Sequence, residues 1–197
     1  MHLRPAFTET DPHRIRALIR AHHFGLLVTQ VDGRLDASHI PFLLHEDGDG
    51  FTLRAHLAAA NAQCAALDGG TALAVFSGPH AYVSPGWYET QPAVPTWDYA
   101  AVHVHGTLER VDDDASVAAD LQGMVPPGDG FRVDAMPDGF RTRMFAGLRA
   151  FVLRPVRVEA QWKMSQNRSA ADRRGVVTGL RAAGENGVAA LVAATLS

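Results

Sequence analysis

The sequence lacks the features that mark several large classes of protein. Among 197 residues there is one cysteine, Cys64, which excludes an intramolecular disulfide framework and is typical of a reducing compartment. No apolar run approaches the roughly 20 residues that a helix needs to cross a bilayer. The first ten residues contain no continuous apolar stretch of the kind found in signal peptides. These absences predict a soluble, cytoplasmic chain with no membrane association.

The charge balance and the missing motifs exclude further classes. The net charge is −3 at pH 7, so no excess of basic residues indicates a nucleic-acid-binding surface. Neither Gly-x-Gly-x-x-Gly nor Gly-x-x-x-x-Gly-Lys-Ser/Thr occurs, so the two common nucleotide-phosphate loops are absent. Gly-x-Ser-x-Gly is also missing, which argues against a serine hydrolase.

The chain does have the composition of a folded protein. Hydrophobic residues make up 47% and charged residues 20%, and the length suits one well-filled core. No linker or internal repeat divides it. We therefore expect residues 1–197 to form a single domain.

The spacing of apolar residues predicts the order of the elements. Asp11 and Pro12 begin a helix over 12–22, and Asp32-Gly33 is a typical hairpin turn. A stretch rich in proline and glycine, 126–139, is predicted to be a loop. Strands are predicted over 24–30, 35–45, 51–57, 71–77, 97–111 and 148–162, and helices over 58–67, over 113–124 and from Ser169 onward.

This order of elements predicts the fold class. Six or seven strands are joined largely by hairpins, and the helices lie at the ends with one inserted between strands. A doubly wound α/β fold is excluded because its strands alternate with crossover helices. The pattern favours an antiparallel barrel with peripheral helices.

The ten histidines raise the question of a metal site. His103 and His105 are two residues apart, so on a strand they face the same side. A metal would need at least one further ligand, and no His-x-x-x-His or Cys-x-x-Cys motif supplies one. We predict no metal site. His39, His56 and His80 are the possible further donors for such a site.

Three segments are dense in groups that carry chemistry. Gly78–Tyr88 and Val94–Tyr99 combine prolines with aromatic residues. Lys163–Ser169 combines two cations, two side-chain amides and two hydroxyls just before a predicted helix. Free N–H groups at a helix start, together with Arg and Lys, suit an anion. The alternative is an ordinary polar helix cap with solvated charges.

Together these segments resemble the PaiB-like family, the FMN-binding negative transcriptional regulators. The resemblance also includes Ala37–Pro41 and His56–Ala58 with Asn61, and it follows the same order along most of the chain. It implies a mainly β fold with peripheral helices, a six-stranded antiparallel split β-barrel. It further implies a homodimer that holds FMN at the subunit interface.

The resemblance also implies which residues contact the cofactor, while it assigns no catalytic residue. Three positions depart from the family pattern: Ala60 replaces a frequent cation, Ala62 a proline and Asp98 a usual asparagine. A lost charge-assisted hydrogen bond costs about 1.5–3 kcal/mol, or roughly ten- to hundredfold in affinity. The implied FMN-contacting residues are Ser38, His39, Pro41, Arg54, His56, Asn61, Thr96, Trp97, Lys163, Ser165, Gln166, Asn167 and Arg168.

Several functions stay open at this point, including whether the chain is an enzyme. The family name implies transcriptional regulation, but no helix-turn-helix or basic stripe supports direct DNA binding. A flavin-dependent oxidoreductase is a second reading, in which Tyr82, Trp87 and Tyr88 select a substrate. A haem-binding split barrel is a third, suggested by the histidines. A barrel that has lost its flavin is the last, because of Ala60 and Asp98.

Overall fold

The computed structural model describes residues 1–48 and 50–196. Within these residues the chain forms seven β-strands, five α-helices and five short 3-10 helices. The strands are β1 (Phe24–Val31), β2 (Arg34–Pro41), β3 (Leu43–Asp47), β4 (Gly50–Ala58), β5 (Asp68–Val83), β6 (Thr96–Val111) and β7 (Leu148–Lys163). The α-helices are α1 (Pro12–Ala21), α2 (Asp114–Gly123), α3 (Asp138–Ala146), α4 (Ala170–Ala182) and α5 (Asn186–Ala193). The 3-10 helices are Pro5–Phe7, Ala62–Ala66, Pro85–Trp87, Val133–Ala135 and Ala194–Leu196.

The seven strands form one sheet in the order β2-β1-β5-β6-β7-β4-β3. The pairs β1–β2, β1–β5, β3–β4 and β4–β7 are antiparallel. The predicted hairpin turn is confirmed: Asp32 and Gly33 have φ of 50° and 77°, the left-handed values that a two-residue turn requires. The prediction of a mainly antiparallel sheet with helices is thus confirmed.

The sheet has one strand more than the six that the family resemblance implies. The predicted strand 35–45 is divided at Phe42 into β2 and β3. Phe42 donates its N–H to His23 O at 2.9 Å and buries its ring edge-on against Phe76. Pro41, which has no N–H, stands directly before this break.

Several other boundaries differ from the prediction; β5, for example, covers Asp68–Val83, whereas a strand over 71–77 is predicted. The strand β4 extends through Ala58, so the predicted helix 58–67 is reduced to the 3-10 helix Ala62–Ala66. The reason is that Ala58 pairs with Leu148 on β7, which extends the ladder into the alanine-rich segment. The predicted loop 126–139 contains a 3-10 helix and the first residues of α3.

The chain divides into two compact units, and the strands β5, β6 and β7 each contribute residues to both. In the second unit, alternate residues of β4 are buried, and Leu53, Leu57, Phe76 and Phe151 are at most 2% exposed. The first unit contains Met1–Leu18, Ser77–Val102 and residues 159–196; the second contains Ile19–Phe76 and His103–Val158.

The first unit has its own apolar core, to which two C-terminal helices contribute. Val176 and Leu180 of α4 and Val188 and Val192 of α5 are at most 1% exposed, and the two helices pack against each other. The predicted start of α4 is confirmed, because Ser169 Oγ accepts the N–H of Asp172 at 3.0 Å. No helix in the described part of the chain has the length and apolar character needed to cross a membrane.

Candidate functional site

The residues predicted to contact the cofactor fall into two groups, one in each unit. The structure brings members of each group close together in the fold of their own unit, and the groups are described separately. The second unit contains Ser38, His39, Pro41, Arg54, His56 and Asn61; the first contains Thr96, Trp97, Lys163, Ser165, Gln166, Asn167 and Arg168.

Asn61 connects two elements of the second unit through both ends of its side-chain amide. Its Oδ1 accepts the N–H of Gln63 at 2.9 Å and caps the 3-10 helix. Its Nδ2 donates to Ser38 Oγ on β2 at 3.0 Å. Two predicted residues are therefore in direct contact, and Asn61 fixes the 3-10 helix against the strand.

Gln63 completes this group, although its sequence context does not single it out. Its side chain is buried, and its Nε2 donates to Thr29 Oγ1 at 2.9 Å and to Asp36 O at 3.2 Å. A lone glutamine in an alanine-rich segment carries no sequence signal for such a role. We call Thr29, Ser38, Asn61 and Gln63 the neutral cluster, because it contains no ionised side chain.

Arg54 is held by a carboxylate of its own unit. Its Nη1 donates to both carboxylate oxygens of Asp120 on α2, at 3.0 and 3.2 Å. Asp120 is buried, and His45 Nε2 lies 3.7 Å from it. Part of the Arg54 guanidinium is thus used to fasten α2 to β4, a pairing that the sequence did not reveal.

The two histidines of this group differ in their surroundings. His39 is exposed on β2, and its ring stacks on Phe24 with centroids 6.2 Å apart. His56 is half-buried on β4, and burial lowers its pKa. The neutral imidazole of His56 is therefore favoured, which suits a hydrogen bond to an uncharged polar group.

In the first unit, the Lys163 ammonium has an acceptor for each of its three N–H donors. Thr96 Oγ1 lies at 2.7 Å, Asp98 Oδ1 lies at 3.3 Å, and the carbonyl oxygen of Trp97 is the third acceptor. The Phe7 ring covers the same ammonium at 5.9 Å from its centroid. Lys163 therefore fastens the end of β7 to the start of β6.

Asp98 is fully buried beside this lysine. Its Oδ2 accepts a hydrogen bond from Ser165 Oγ at 2.7 Å, while Oδ1 faces Lys163. Burial raises the pKa of the carboxyl, and the hydrogen bond from Ser165 and the Lys163 charge oppose that rise. We call Thr96, Asp98, Lys163 and Ser165 the charged cluster.

The segment after Lys163 is held by hydrogen bonds to the backbone. Gln166 Oε1 accepts the N–H of Met164 at 2.7 Å, and Gln166 Nε2 donates to Trp162 O. Arg168 N–H donates to Ser165 O at 2.9 Å. Ser165 itself has φ of 57°, in the left-handed region that residues other than glycine rarely adopt. The result is a tight, fixed turn that ends at the start of α4.

Arg168 differs from the other cation of this turn. Its guanidinium carbon lies 4.3 Å from the centroid of the Tyr88 ring, and the side chain is half-buried. Within residues 1–48 and 50–196, no carboxylate forms a salt bridge with it. Burial raises the pKa of Tyr88, so the ring carries a neutral hydroxyl at physiological pH. Arg168 and the exposed Asn167 beside it are available to an outside anion.

The Tyr88 ring is positioned by close packing between its segment and α4. Gly175 and Gly179 leave room for Trp87, because a Cβ at either position would collide with the backbone oxygen or the indole ring of that residue. Thr90 N–H donates to Asp172 Oδ1 at 2.9 Å, and this bond lowers the pKa of Asp172. The segment predicted from its aromatic residues and prolines is thus fastened to the helix that begins after Arg168.

Aromatic side chains also lie on the surface of the first unit. Trp97 is 56% exposed, and its ring meets Tyr82 edge-on at 6.1 Å and His80 at 6.4 Å. Such a group suits the flat face of a planar ligand or an apolar partner. In the second unit, His103 and His105 lie half-buried on β6, and Arg157 Nη2 is 3.0 Å from His105 Nε2.

Two solved structures share this arrangement of sheet and helices. The flavocytochrome Anf3 of Azotobacter vinelandii matches with a TM-score of 0.64 at 15% identity, covering 82% of this chain and 72% of that one. The FAD and haem binding protein of Mycobacterium smegmatis matches with a TM-score of 0.60 at 19% identity, covering 79% and 73%. At these identities the likeness shows a shared fold, which is that of the flavin-binding split barrels.

Within that class, the sequence defines the family. Residues 1–157 match the family model described as "Putative FMN-binding domain", and the chain belongs to this family. The Protease synthase and sporulation protein PAI 2 of Bacillus subtilis (strain 168) is 28% identical over 187 residues, covering 92% of this chain and 89% of its own length. The predicted PaiB-like resemblance and FMN as the cofactor are thereby confirmed.

The residues in the first unit fit a cofactor of this kind. FMN combines an anionic phosphate with a planar ring that has hydrogen-bonding edges. Arg168 is a cation without a carboxylate partner among the described residues, and Trp97 is an exposed aromatic ring. Asn167 adds an exposed side-chain amide. Cation, aromatic surface and amide are the donor set that such a molecule needs.

Proposed function

We propose that this chain is a cytoplasmic FMN-binding protein of the negative transcriptional regulator type that works as a homodimer. The observation that carries the proposal is Arg168, a half-buried cation stacked on Tyr88 in a fixed turn and without a salt-bridge partner in the described residues. A cation held in this way costs little further ordering when it binds an anion. The FMN-binding family model, which matches residues 1–157, and the PaiB-like resemblance of Lys163–Ser169 support FMN as the source of that anion.

Some of the predicted site residues are proposed to contact FMN, and the others stabilise the fold through contacts within the protein. FMN, when bound, supplies redox chemistry that no amino-acid side chain provides. Arg168 and Asn167 bind its anionic part, and Trp97 offers an apolar face. For Ser38, His39, Pro41 and His56, which belong to the second unit, contact with FMN stays a prediction from the family resemblance. The residues whose side chains stabilise the fold through partners within the protein are Lys163, Ser165, Gln166 and Asn61, together with Arg54 through its Nη1.

A sheet face of the second unit supports the homodimer. Leu35 and Val156 are 75% and 77% exposed, and both line a shallow groove of about 540 Å³ together with Val28 and Leu73. Apolar side chains this exposed are typical of surfaces that bind another protein. Sedimentation equilibrium tests the dimer, which has twice the chain mass of 21.2 kDa. A single species of 21.2 kDa with FMN bound would contradict it.

The first prediction concerns FMN binding to Arg168. Titration of the purified protein, followed by flavin fluorescence, should show saturable binding, and Arg168→Gln should weaken it. The loss of one charge-assisted contact corresponds to about ten- to hundredfold in Kd. Arg168→Lys, which keeps the charge but not the planar stack on Tyr88, should lose less.

The matched control is Arg174→Gln, which removes the same charge from an exposed position of α4. It should leave the Kd of FMN nearly unchanged. Equal effects of the two substitutions would mean that only net charge matters, and the proposed role of Arg168 would be wrong. No binding by folded, dimeric wild-type protein would mean that the fold has been kept without its cofactor.

The regulatory output is assigned to the flavin state or to a partner protein rather than to direct DNA contact. The net charge of −3 does not favour binding to duplex DNA. Gel-shift titrations at two salt concentrations test this assignment. A tight affinity that falls steeply with salt would replace it with direct DNA binding.

A flavin-dependent oxidoreductase is the second candidate, favoured by the exposed group of Trp97, Tyr82 and His80. Aromatic side chains beside a flavin can select a flat or apolar substrate. Anaerobic addition of NADH or NADPH to the FMN-loaded protein tests it by loss of the flavin absorbance. Reduction by dithionite but by neither nucleotide would exclude a nicotinamide-dependent enzyme.

A further inference from the structure

Lys163 stands in the turn that the proposed function assigns to FMN, but its ammonium is fully occupied. An ammonium has three N–H donors, and Thr96, Trp97 and Asp98 each provide one acceptor. For Lys163 to donate to a ligand, it would have to give up at least one of these acceptors. If it moved out of the cluster to do so, the Asp98 carboxylate would lose its counter-charge.

Leaving Asp98 unpaired would be unfavourable because this carboxylate is fully buried. Removing one partner of a buried ion pair is strongly destabilising, whereas replacing both partners by neutral groups is often tolerated. Asp98 also holds the turn through its other oxygen, which accepts from Ser165 at 2.7 Å. Ser165 is the residue with the left-handed backbone conformation, so its side chain is fixed where the chain reverses.

We propose that Asp98 and Lys163 are positioning residues, a buried ion pair that fixes the Ser165 turn, and that Arg168 is the cation of this turn that binds the anionic part of FMN. The inference rests on the proposed function, which assigns FMN to this turn. It separates two cations, five positions apart, that sequence alone places in the same role. Asp98, which departs from the family pattern, is thereby assigned the role of holding Lys163 and Ser165 in place.

The experiment is a double-mutant cycle with Lys163→Gln, Asp98→Asn and the combined variant. Urea unfolding midpoints and FMN Kd values are measured for all four proteins. Lys163→Gln leaves the Asp98 carboxylate buried with no counter-ion, so its midpoint should fall and its FMN affinity should fall with it. Asp98→Asn should lower the midpoint less than Lys163→Gln does, because the amide keeps an acceptor for Ser165 and the Lys163 side chain left without a counter-ion is 22% exposed.

The combined variant carries the decisive result. The two introduced amides form a neutral pair, so we expect the midpoint to return most of the way to the wild-type value. The FMN Kd should recover at least tenfold over Lys163→Gln, because no unpaired charge is left buried beside the Ser165 turn. Arg168→Gln in the combined background should again lose about ten- to hundredfold.

Two results would overturn the inference. A combined variant that recovers its unfolding midpoint but not its FMN affinity would make Lys163 a direct ligand. Additive losses in the midpoint would show that Asp98 and Lys163 are not coupled. If Lys163→Gln does not fold, the combined variant must still fold. If wild-type protein binds no FMN, the proposed function fails, while the unfolding cycle still decides whether the pair exists.

Discussion

Each unit contains a polar cluster that holds an irregular segment in place. The cluster of the second unit is neutral, whereas that of the first unit contains an ion pair. In the neutral cluster, the amides of Asn61 and Gln63 join a 3-10 helix to the strands β1 and β2 without any ionised group. In the charged cluster, the Asp98–Lys163 pair joins β6 to the end of β7 and fixes the turn at Ser165. Each cluster fixes a segment that has no regular hydrogen-bond ladder of its own.

The difference between the clusters has consequences for stability and for ligand binding. A buried amide network has no charge to lose, so its contribution is independent of pH near neutrality. A buried ion pair is sensitive to the loss of either partner and to protonation. The charged cluster lies in the turn that ends with Arg168, and it neutralises its own cation within the pair. Arg168 therefore carries the net positive charge of this turn.

The largest effect should come from truncating the charged cluster. Asp98→Ala removes the acceptor of Ser165 and the counter-ion of Lys163 and leaves a cavity, so we expect about 3 kcal/mol lower free energy of unfolding. Urea denaturation monitored by circular dichroism measures it. Asp98→Asn is the control of matched shape and should cost far less. Equal losses of unfolding free energy for Asp98→Ala and Asp98→Asn would mean that the charge alone, and not the shape of the side chain, determines the loss.

A smaller loss is expected in the neutral cluster. Gln63→Met keeps the volume of the side chain but removes the donor that serves Thr29 Oγ1 and Asp36 O. Buried acceptors left without a donor cost about 1–3 kcal/mol in total. The same denaturation measurement applies, and Gln63→Glu, which buries a charge, should lose more. A Gln63→Met protein as stable as wild type would mean that packing alone holds the 3-10 helix.

The smallest effect is a difference in pH dependence. Burial raises the pKa of Asp98, so the folded chain binds this proton more tightly than the unfolded chain. The contribution is complete below the ordinary aspartate pKa of about 3.9 and is lost as pH rises through the folded value. Stability relative to Asp98→Asn should therefore fall as pH rises above about 4. Thermal unfolding at a series of pH values measures it.

The pH dependence of stability has to be measured as the difference between wild type and Asp98→Asn. Asp172, whose pKa is lowered by the Thr90 N–H, contributes with the opposite sign in both of them. Gln63→Met should show the wild-type pH profile, because the neutral cluster contains no titrating group. A constant difference between wild type and Asp98→Asn across this range would contradict the raised pKa.

Local patterns in the sequence predicted most of the elements but not their buried polar partners. The hairpin turn at Asp32-Gly33 and the cap at Ser169 depend on residues adjacent in the chain, and both are confirmed. The division of a strand at Phe42 depends on Phe76, which is distant in sequence. No local pattern could reveal such a contact.

The same distinction applies to the candidate site. The dense polar groups of Lys163–Ser169 predict a site, but nothing in the segment shows that Lys163 is paired with a carboxylate and that Arg168 is not. That difference comes from Asp98, which lies 65 positions away and is buried by the fold. From the sequence alone, Asp98 is predicted to add a negative charge beside the flavin. In the structure it is the internal partner of the lysine.

The two glycines of α4 have an evolutionary consequence. A Cβ at Gly179 would collide with the Trp87 indole, whereas a Cβ at Gly175 would collide with the backbone oxygen of residue 87, which every residue carries. A lineage could therefore exchange Gly179 only after a smaller residue had replaced the tryptophan, but no substitution at position 87 would free position 175. Substitutions at 87 and 179 should appear together along the branches of a family tree, while position 175 should stay glycine.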